Sequence, residues 1–420
     1  MVRQSHEKNF DIARNRYEEL GVNVEAALTS LEQIQISLPC WQGDDVGGFE
    51  AADAALSGGL LATGNYPGKP RTIDELRQDL VFASSLIPGG HRLNLHASYG
   101  DFGGKPVDRD QLTPGHFKGW VEWAGENNLG LDFNATLFSH PLAESNFTLS
   151  SFDEHIRQFW QEHVKRCREI SAWIGRQQGN PCLHNLWIPD GSKDLTVTRL
   201  AHRELLLESL NTIYRVDYPD GELKDSVEGK LFGLGTESYV VGSYDFYLAW
   251  AMTTGVLLCL DMGHFHPTES VADKISAILP FVKELVLHLS RGVRWDSDHV
   301  VLQDDDMVSI AQEVVRAGAL GRVHIGLDFF DASINRIGAW VIGARSALKA
   351  FLYALLEPVD LLRDRERSGD FFSRLAMLEE LKAMPFGVVW DYYCAKMNVP
   401  VGRDWIMGIK GYEDRVLSGR

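Results

Sequence analysis

Residues 257–299 bring together Asp261, His264, His266, His288, Asp296, Asp298 and His299, side chains that can bind a cation or move a proton. Each cluster follows an apolar run of strand length, residues 256–260 before Asp261 and residues 285–289 around His288. Carboxylates and imidazoles at the carboxyl ends of successive apolar strands are the arrangement in which α/β barrels keep their chemistry. Oxygen and nitrogen donors without a thiolate suit Mn²⁺, Mg²⁺, Co²⁺ or Zn²⁺. The spacings Asp261-x-x-His264 and Asp296-x-Asp298 let one turn present two donor heads to one ion. The stretch is expected to form the core of a divalent-metal site.

Each member also has an ordinary explanation. Asp296 and Asp298 could form Asx turns and pair with Arg291 or Arg294. His264 and His266 could be turn residues ahead of a helix capped by Thr268, and Glu228 with Lys230 could be a surface pair. His288, set between Leu287 and Leu289, needs a polar partner once buried. The ordered recurrence of these residues beside strands favours the metal site.

The elements that would carry them follow a regular alternation. Apolar positions at helical spacing predict two helices over residues 6–33. Strands are predicted at 34–41, 92–96, 130–134, 184–188, 230–235, 256–260, 285–289 and 323–327. Helices are predicted at 72–86, 116–127, 151–176, 198–214, 243–253, 269–279, 304–317 and 333–356. The helix from Thr72 opens with a capping-box pattern, Glu75 lying three residues on. Eight strand–helix units with no hairpin signal predict a (β/α)₈ barrel over residues 34–356. No Gly-rich phosphate fingerprint follows any strand, which disfavours a doubly wound sheet. On this reading Glu228-Gly229-Lys230 enters the fifth strand and Asp261 to His264 close the sixth. His288 lies in the seventh, ahead of Asp296 and Asp298, and Asp328 ends the eighth. The Gly-rich segment 43–70 follows a strand end and contains Phe49, Leu60, Leu61, Asn65 and Tyr66, and it reads as a lid over a site. Residues 1–33 form N-terminal helices, and 357–420 a charged, aromatic helical extension that should wrap the barrel or a neighbouring subunit.

Composition narrows the function. Of 420 residues 45% are hydrophobic and 24% charged, ordinary for a globular chain. A net charge of −17 argues against nucleic acid as a partner. The five cysteines form no CxxC pair, so buried free thiols and a cytoplasmic setting are expected. No apolar run approaches the roughly 18 residues of a membrane span.

The stretches WQGDD, ATGNYPGK, RLNLHA, GLDFN, FSHP, NLWIPDGSKD, ESYVVGS, LDMGHFHPTE, RWDSDHVV and HIGLDFFDASINRI resemble the L-rhamnose isomerase family. The resemblance covers nearly the whole chain and is weakest after residue 357. It implies a (β/α)₈ barrel, usually a homotetramer, that converts L-rhamnose to L-rhamnulose in rhamnose catabolism with a divalent metal, commonly Mn²⁺. The layout is similar to that of xylose isomerases, which hold two ions. By the resemblance, Glu228, Asp261, His288 and Asp328 would bind one ion. His264, Asp296 and Asp298 would bind the second, with Asp261 bridging. Xylose isomerases have a carboxylate where this chain has His288. His96 would assist ring opening or bind the ring oxygen, and Lys230 would donate to a sugar oxygen. Trp187 would lie along the sugar, although plain core packing also accounts for it. His264 would face the substrate as well. Hydrogen could move as a hydride or through an enediol, with Asp296 or Asp328 as base in the second case. The other readings are an isomerase or epimerase acting on L-mannose, L-lyxose or a related aldose, and a two-metal hydrolase.

Overall fold

The computed structural model describes residues 2–50, 60–294 and 299–420, with side chains described from residue 7 onward. Its centre is a closed barrel of eight strands. These are β1 (Ile36–Pro39), β2 (Arg92–His96), β3 (Gly130–Asn134), β4 (Cys182–Trp187), β5 (Leu223–Glu228), β6 (Leu257–Asp261), β7 (Leu285–Leu289) and β8 (Val323–Leu327). Every neighbouring pair is parallel, and β8 closes onto β1 with Ile36 opposite Ile325. A short antiparallel pair, Gly191–Ser192 with Tyr239–Val240, lies outside the barrel. The predicted fold class is the observed one.

Strand alternation divides the side chains into two sets. One set, including Leu93, Leu95, Phe133, Leu258, Leu260, Leu285 and Leu287, is fully buried and supplies the apolar core. The long helices Glu154–Gln178 and Arg336–Leu355 add Trp160, Ile170, Trp340 and Phe351 to that core. The other set is polar: His96 pairs in register with Asn134, Asn134 with Asn185, and Asn185 with Ser226. Continuing round, Glu228 pairs with Cys259, Asp261 with His288, and His288 with Gly326. This second set lines the lumen, beside a smaller apolar cluster of Leu183, Cys259 and Val286.

Most predicted elements recur with ends shifted by a few residues, and one is wrong. The fifth strand is Leu223–Glu228, and residues 230–235 form a loop. Glu228 therefore ends the strand rather than preceding it, and Lys230 lies beyond it. Near the metal-site stretch, Thr268 does not cap the following helix. Its N-cap is Ser270, and the Thr268 hydroxyl lies 2.7 Å from His266 Nδ1. At Thr72 the hydroxyl accepts from Glu75 N at 3.2 Å, the expected half of a capping box. The Glu75 carboxylate reaches instead to the backbone N–H of Arg71, at 2.7 Å.

After the barrel come the helices Val359–Arg367, Phe371–Leu381, Phe386–Lys396 and Asp404–Arg415. They fold back on the chain. Tyr392 stacks on Phe10 with ring centroids 3.7 Å apart, and Tyr412 stacks on Phe82 at 4.2 Å. The Tyr412 hydroxyl donates to Asp79 at 2.7 Å, and Arg420 pairs with the same carboxylate. Among the described residues no single helix is long and apolar enough to cross a membrane.

Candidate active site

The carboxyl ends of β5 to β8 bring Glu228, Asp261, His288 and Asp328 together, with one ligand atom from each lying within 4.8 Å of all the others. The stagger of a closed barrel produces this convergence. At two of the three steps the pairing partner sits two residues before the next ligand: Glu228 opposes Cys259, two residues ahead of Asp261, and His288 opposes Gly326, two ahead of Asp328, whereas Asp261 opposes His288 directly. Gly326 is needed here, because a Cβ at that position would lie 3.2 Å from the His288 ring.

His288 Nδ1 lies 3.0 Å from Glu228 Oε2, 3.2 Å from Asp328 Oδ2 and 3.8 Å from Asp261 Oδ2. One imidazole nitrogen carries at most one proton and serves one acceptor well. Three carboxylates gathered around it are an excess of negative charge in a buried site, and a cation at their centre neutralises it. His264 Nδ1 adds a contact of 2.9 Å to Glu228 Oε1. The pKa shifts carry the same imbalance. Burial alone would raise Glu228, but the imidazoles of His288 and His264 hold it well below the usual carboxylate range. Asp261 is pushed up to about 7 by burial, with Glu228 and Asp328 adding to the rise and the two histidines opposing it. Three oxygens and one imidazole nitrogen fit a divalent cation of the Mn²⁺, Mg²⁺, Co²⁺ or Zn²⁺ kind. Burial pushes the nearby Cys259 thiol up, and its sulfur lies close enough to Glu228 and His288 to form a second possible donor group with them.

Asn185 Nδ2 donates to Glu228 Oε2 at 2.5 Å, and Ser226 Oγ donates to Asn185 Oδ1 at 2.8 Å. Asn185 thus orients the carboxylate from behind, and Ser226 orients the amide. Neither was singled out in the sequence. The signal was present as polar residues in the alternating positions of β4 and β5, which only a lumen explains.

Above the ligands opens a small cleft, lined by His96, Trp187, Lys230, His264 and Asp328 among the expected residues. Trp41, Val46, Asn134, Phe138 and Phe330 also line it, and the sequence reading named none of them as substrate contacts. His96 Nδ1 lies 3.1 Å from Thr136 Oγ1, and the ring meets Trp41 and Phe138 edge-on at 4.9 and 5.5 Å. Burial, then the Arg109 charge, pushes His96 down to about 3, so the imidazole is neutral at working pH. Lys230 Nζ sits 4.9 Å from the Trp187 ring centroid, a cation–π contact. Of the residues named for the lid segment, only Leu60 lines the cleft. Phe49 packs edge-on against Tyr99, Leu61 is exposed, and the Tyr66 hydroxyl donates to Glu413. Asp296 and Asp298, and residues 51–59 of the lid segment, lie outside the described residues. His266 is exposed and occupied with Thr268.

A parallel barrel with a carboxylate-rich, histidine-bearing cleft at the carboxyl ends of its strands defines a barrel enzyme built for a divalent cation and a small polar substrate. The model of the L-rhamnose isomerase (RhaA) family matches residues 4–420. The L-rhamnose isomerase of Rhodopirellula baltica is 57% identical over 414 residues, covering 99% of this chain and 97% of that protein. That of Bacteroides thetaiotaomicron is 56% identical, covering 99% of this chain and 98% of its own. A solved L-ribulose 3-epimerase has a TM-score of 0.45 at 13% identity, covering 81% of this chain and 98% of its own. The chain belongs to the L-rhamnose isomerase family.

Proposed function

We propose that the chain interconverts L-rhamnose and L-rhamnulose as a metal-dependent aldose–ketose isomerase. The observation that carries this reading is the convergence of Glu228, Asp261, His288 and Asp328, of which Glu228 and Asp328 line a cleft shared with His96, Trp187 and Lys230. Those four would hold one cation, with Mn²⁺ the proposed ion. His264 with Asp296 and Asp298 would hold a second, Asp261 being shared. When bound, such cations polarise carbonyl and hydroxyl oxygens of a substrate.

The remaining tasks fall to the protein's own side chains. Neutral His96 meets a sugar oxygen as a hydrogen-bonding partner rather than as a cation, which suits binding the ring oxygen during opening. Lys230, fixed over Trp187, donates to another sugar oxygen and offsets negative charge that develops as carbonyl and hydroxyl exchange. Trp187, Trp41, Phe138 and Phe330 present apolar faces to the carbon skeleton and to the deoxy methyl, and exclude water from the floor. Asp328 is the most solvent-accessible of the four floor residues, its side chain 24% exposed against 2–3% for the others. It is the carboxylate there best placed to exchange a proton with a sugar hydroxyl. The five cysteines are free and buried, which supports a reducing cytoplasm as the setting, and a homotetramer is the proposed assembly.

The test is ketose formation from L-rhamnose by purified protein, after EDTA and again with Mn²⁺ restored. Activity lost and regained supports the reaction and the metal together. Turnover that survives verified metal removal rejects the metal's role, and metal binding without rhamnose turnover moves the substrate to another aldose.

A further inference from the structure

Both described arms of the segment between β1 and the helix Ile73–Ser84 are pressed into the barrel rim. At Gly48 (φ +69) a Cβ would lie 2.8 Å from the Ser98 carbonyl oxygen, and at Gly64 (φ +106) one would lie 2.4 Å from that of Ala332. Phe49 N donates to Ser98 O, and Tyr66 N to Ala332 O, each at 2.8 Å. The first arm also holds two consecutive non-glycine residues in the left-handed region, Asp45 (φ 60) and Val46 (φ 61). A β-branched residue there is strained, and such a turn persists only where its surroundings impose it.

Arg336 is placed to impose it. Its Nε and Nη2 donate to the two Asp45 carboxylate oxygens, each at 2.8 Å, and its Nη1 donates to the Tyr66 carbonyl. One guanidinium, 5% exposed, thereby joins arms that are far apart in the chain. Glu413 completes the second attachment, accepting from Tyr66 Oη at 2.9 Å and from Asn335 Nδ2 at 2.8 Å. Asn335 is itself the N-cap of the helix that Arg336 begins. Lys69 stands 3.9 Å from Asp45, towards solvent. Across the joined arms, Val46 and Leu60 face the same cleft as Phe330.

Building on the L-rhamnose reading, we propose that Arg336 is a positioning residue whose grip on Asp45 and Tyr66 holds Val46 and Leu60 as an apolar wall. That wall favours a 6-deoxy sugar over its 6-hydroxy counterpart. Arg336 itself is not among the residues lining the cleft, and its effect passes through the two arms.

The test compares Arg336→Lys and Asp45→Asn with the wild type on L-rhamnose and L-mannose, which differ by the C6 hydroxyl. Lysine keeps the charge but cannot span both arms as a planar fork does. Each variant is expected to raise KM for L-rhamnose about tenfold with kcat little changed, and to narrow the preference over L-mannose by about the same factor. Mn²⁺ binding, followed by its electron paramagnetic signal, stays as in the wild type. The double variant should be no worse than the poorer single one, because both break one contact. Folded variants with wild-type KM and preference would overturn the proposal, as would a loss of Mn²⁺ affinity in step with KM. A wild type that turns over neither sugar would instead remove the substrate reading, and this specificity role with it.

Discussion

At the scale of single residues, His288 shows why the site needs more than its own side chains. Its Nδ1 faces three carboxylates and can satisfy only one of them. Asn185 bears on the same balance, because its amide donates to Glu228 at 2.5 Å and is itself held by Ser226. Asn185→Asp would set a fourth acid against that carboxylate and break the donation. The variant is expected to lose about 10- to 100-fold in Mn²⁺ affinity or in kcat/KM, the usual effect of disturbing a residue that orients a ligand. Titration of the variant with Mn²⁺ against activity checks this, and an unchanged midpoint would deny Asn185 the orienting role. The residues that converge in the floor were legible because a charge interrupts an apolar strand, as in residues 257–261 and 285–289. Asn134 and Asn185 were not, since an amide at a strand end looks the same whether it faces a lumen or a turn.

At the scale of elements, the misplaced fifth strand has a physical cause. Leu223–Glu228 reads LKDSVE, with three charged residues and a serine among six, because both its faces carry work. Asp225 pairs with Arg168 at 2.8 Å on the helix side, while Ser226 and Glu228 serve the lumen. The apolar residues 230–235 imitate a strand better than the true one does. Barrel closure, not local pattern, selects between them. The short turn that follows β1 shows a second device invisible in sequence. Tyr99 Oη donates to Asp44 Oδ1 at 2.5 Å, and Gly48 N to Oδ2 at 2.8 Å, yet burial pushes the acid up from 3.8 to about 6. The folded chain then binds this proton more tightly than the unfolded one. Asp44 favours folding fully below about pH 4 and loses that contribution as pH rises through 6, a change of about 3 kcal/mol for a shift of roughly two units. Asp44→Asn cannot titrate. Urea unfolding of both proteins from pH 4 to pH 7 should therefore shift their stability difference by about that amount in the variant's favour. A difference that stays flat over this range would mean that Asp44 is not perturbed by burial.

At the scale of the whole molecule, the C-terminal helices are unevenly used. Trp390, Tyr393 and Tyr412 are buried, with Arg345 over the Trp390 ring and Tyr412 stacked on Phe82. The helix Phe371–Leu381 is different, because Phe371, Phe372 and Leu375 are 57%, 83% and 66% exposed. Residues three and four positions apart are neighbours on a helix, so Leu375 lies beside both Phe372 and Phe371 and the three form one apolar patch rather than scattered exposure. A patch of this kind, repeated on every copy, would pair with itself across a twofold axis, one of the axes by which dimers would build the proposed tetramer. The change Phe372→Glu with Leu375→Glu would place two carboxylates opposite two more wherever the patch meets its own copy. Light scattering of the wild type is expected to give four chain masses, and the double variant two or one, with the far-ultraviolet circular dichroism of the barrel retained. A variant still at four chain masses would assign the tetramer to another face. A monomeric wild type would reject the tetramer itself, leaving the barrel and its cleft to function in a single chain.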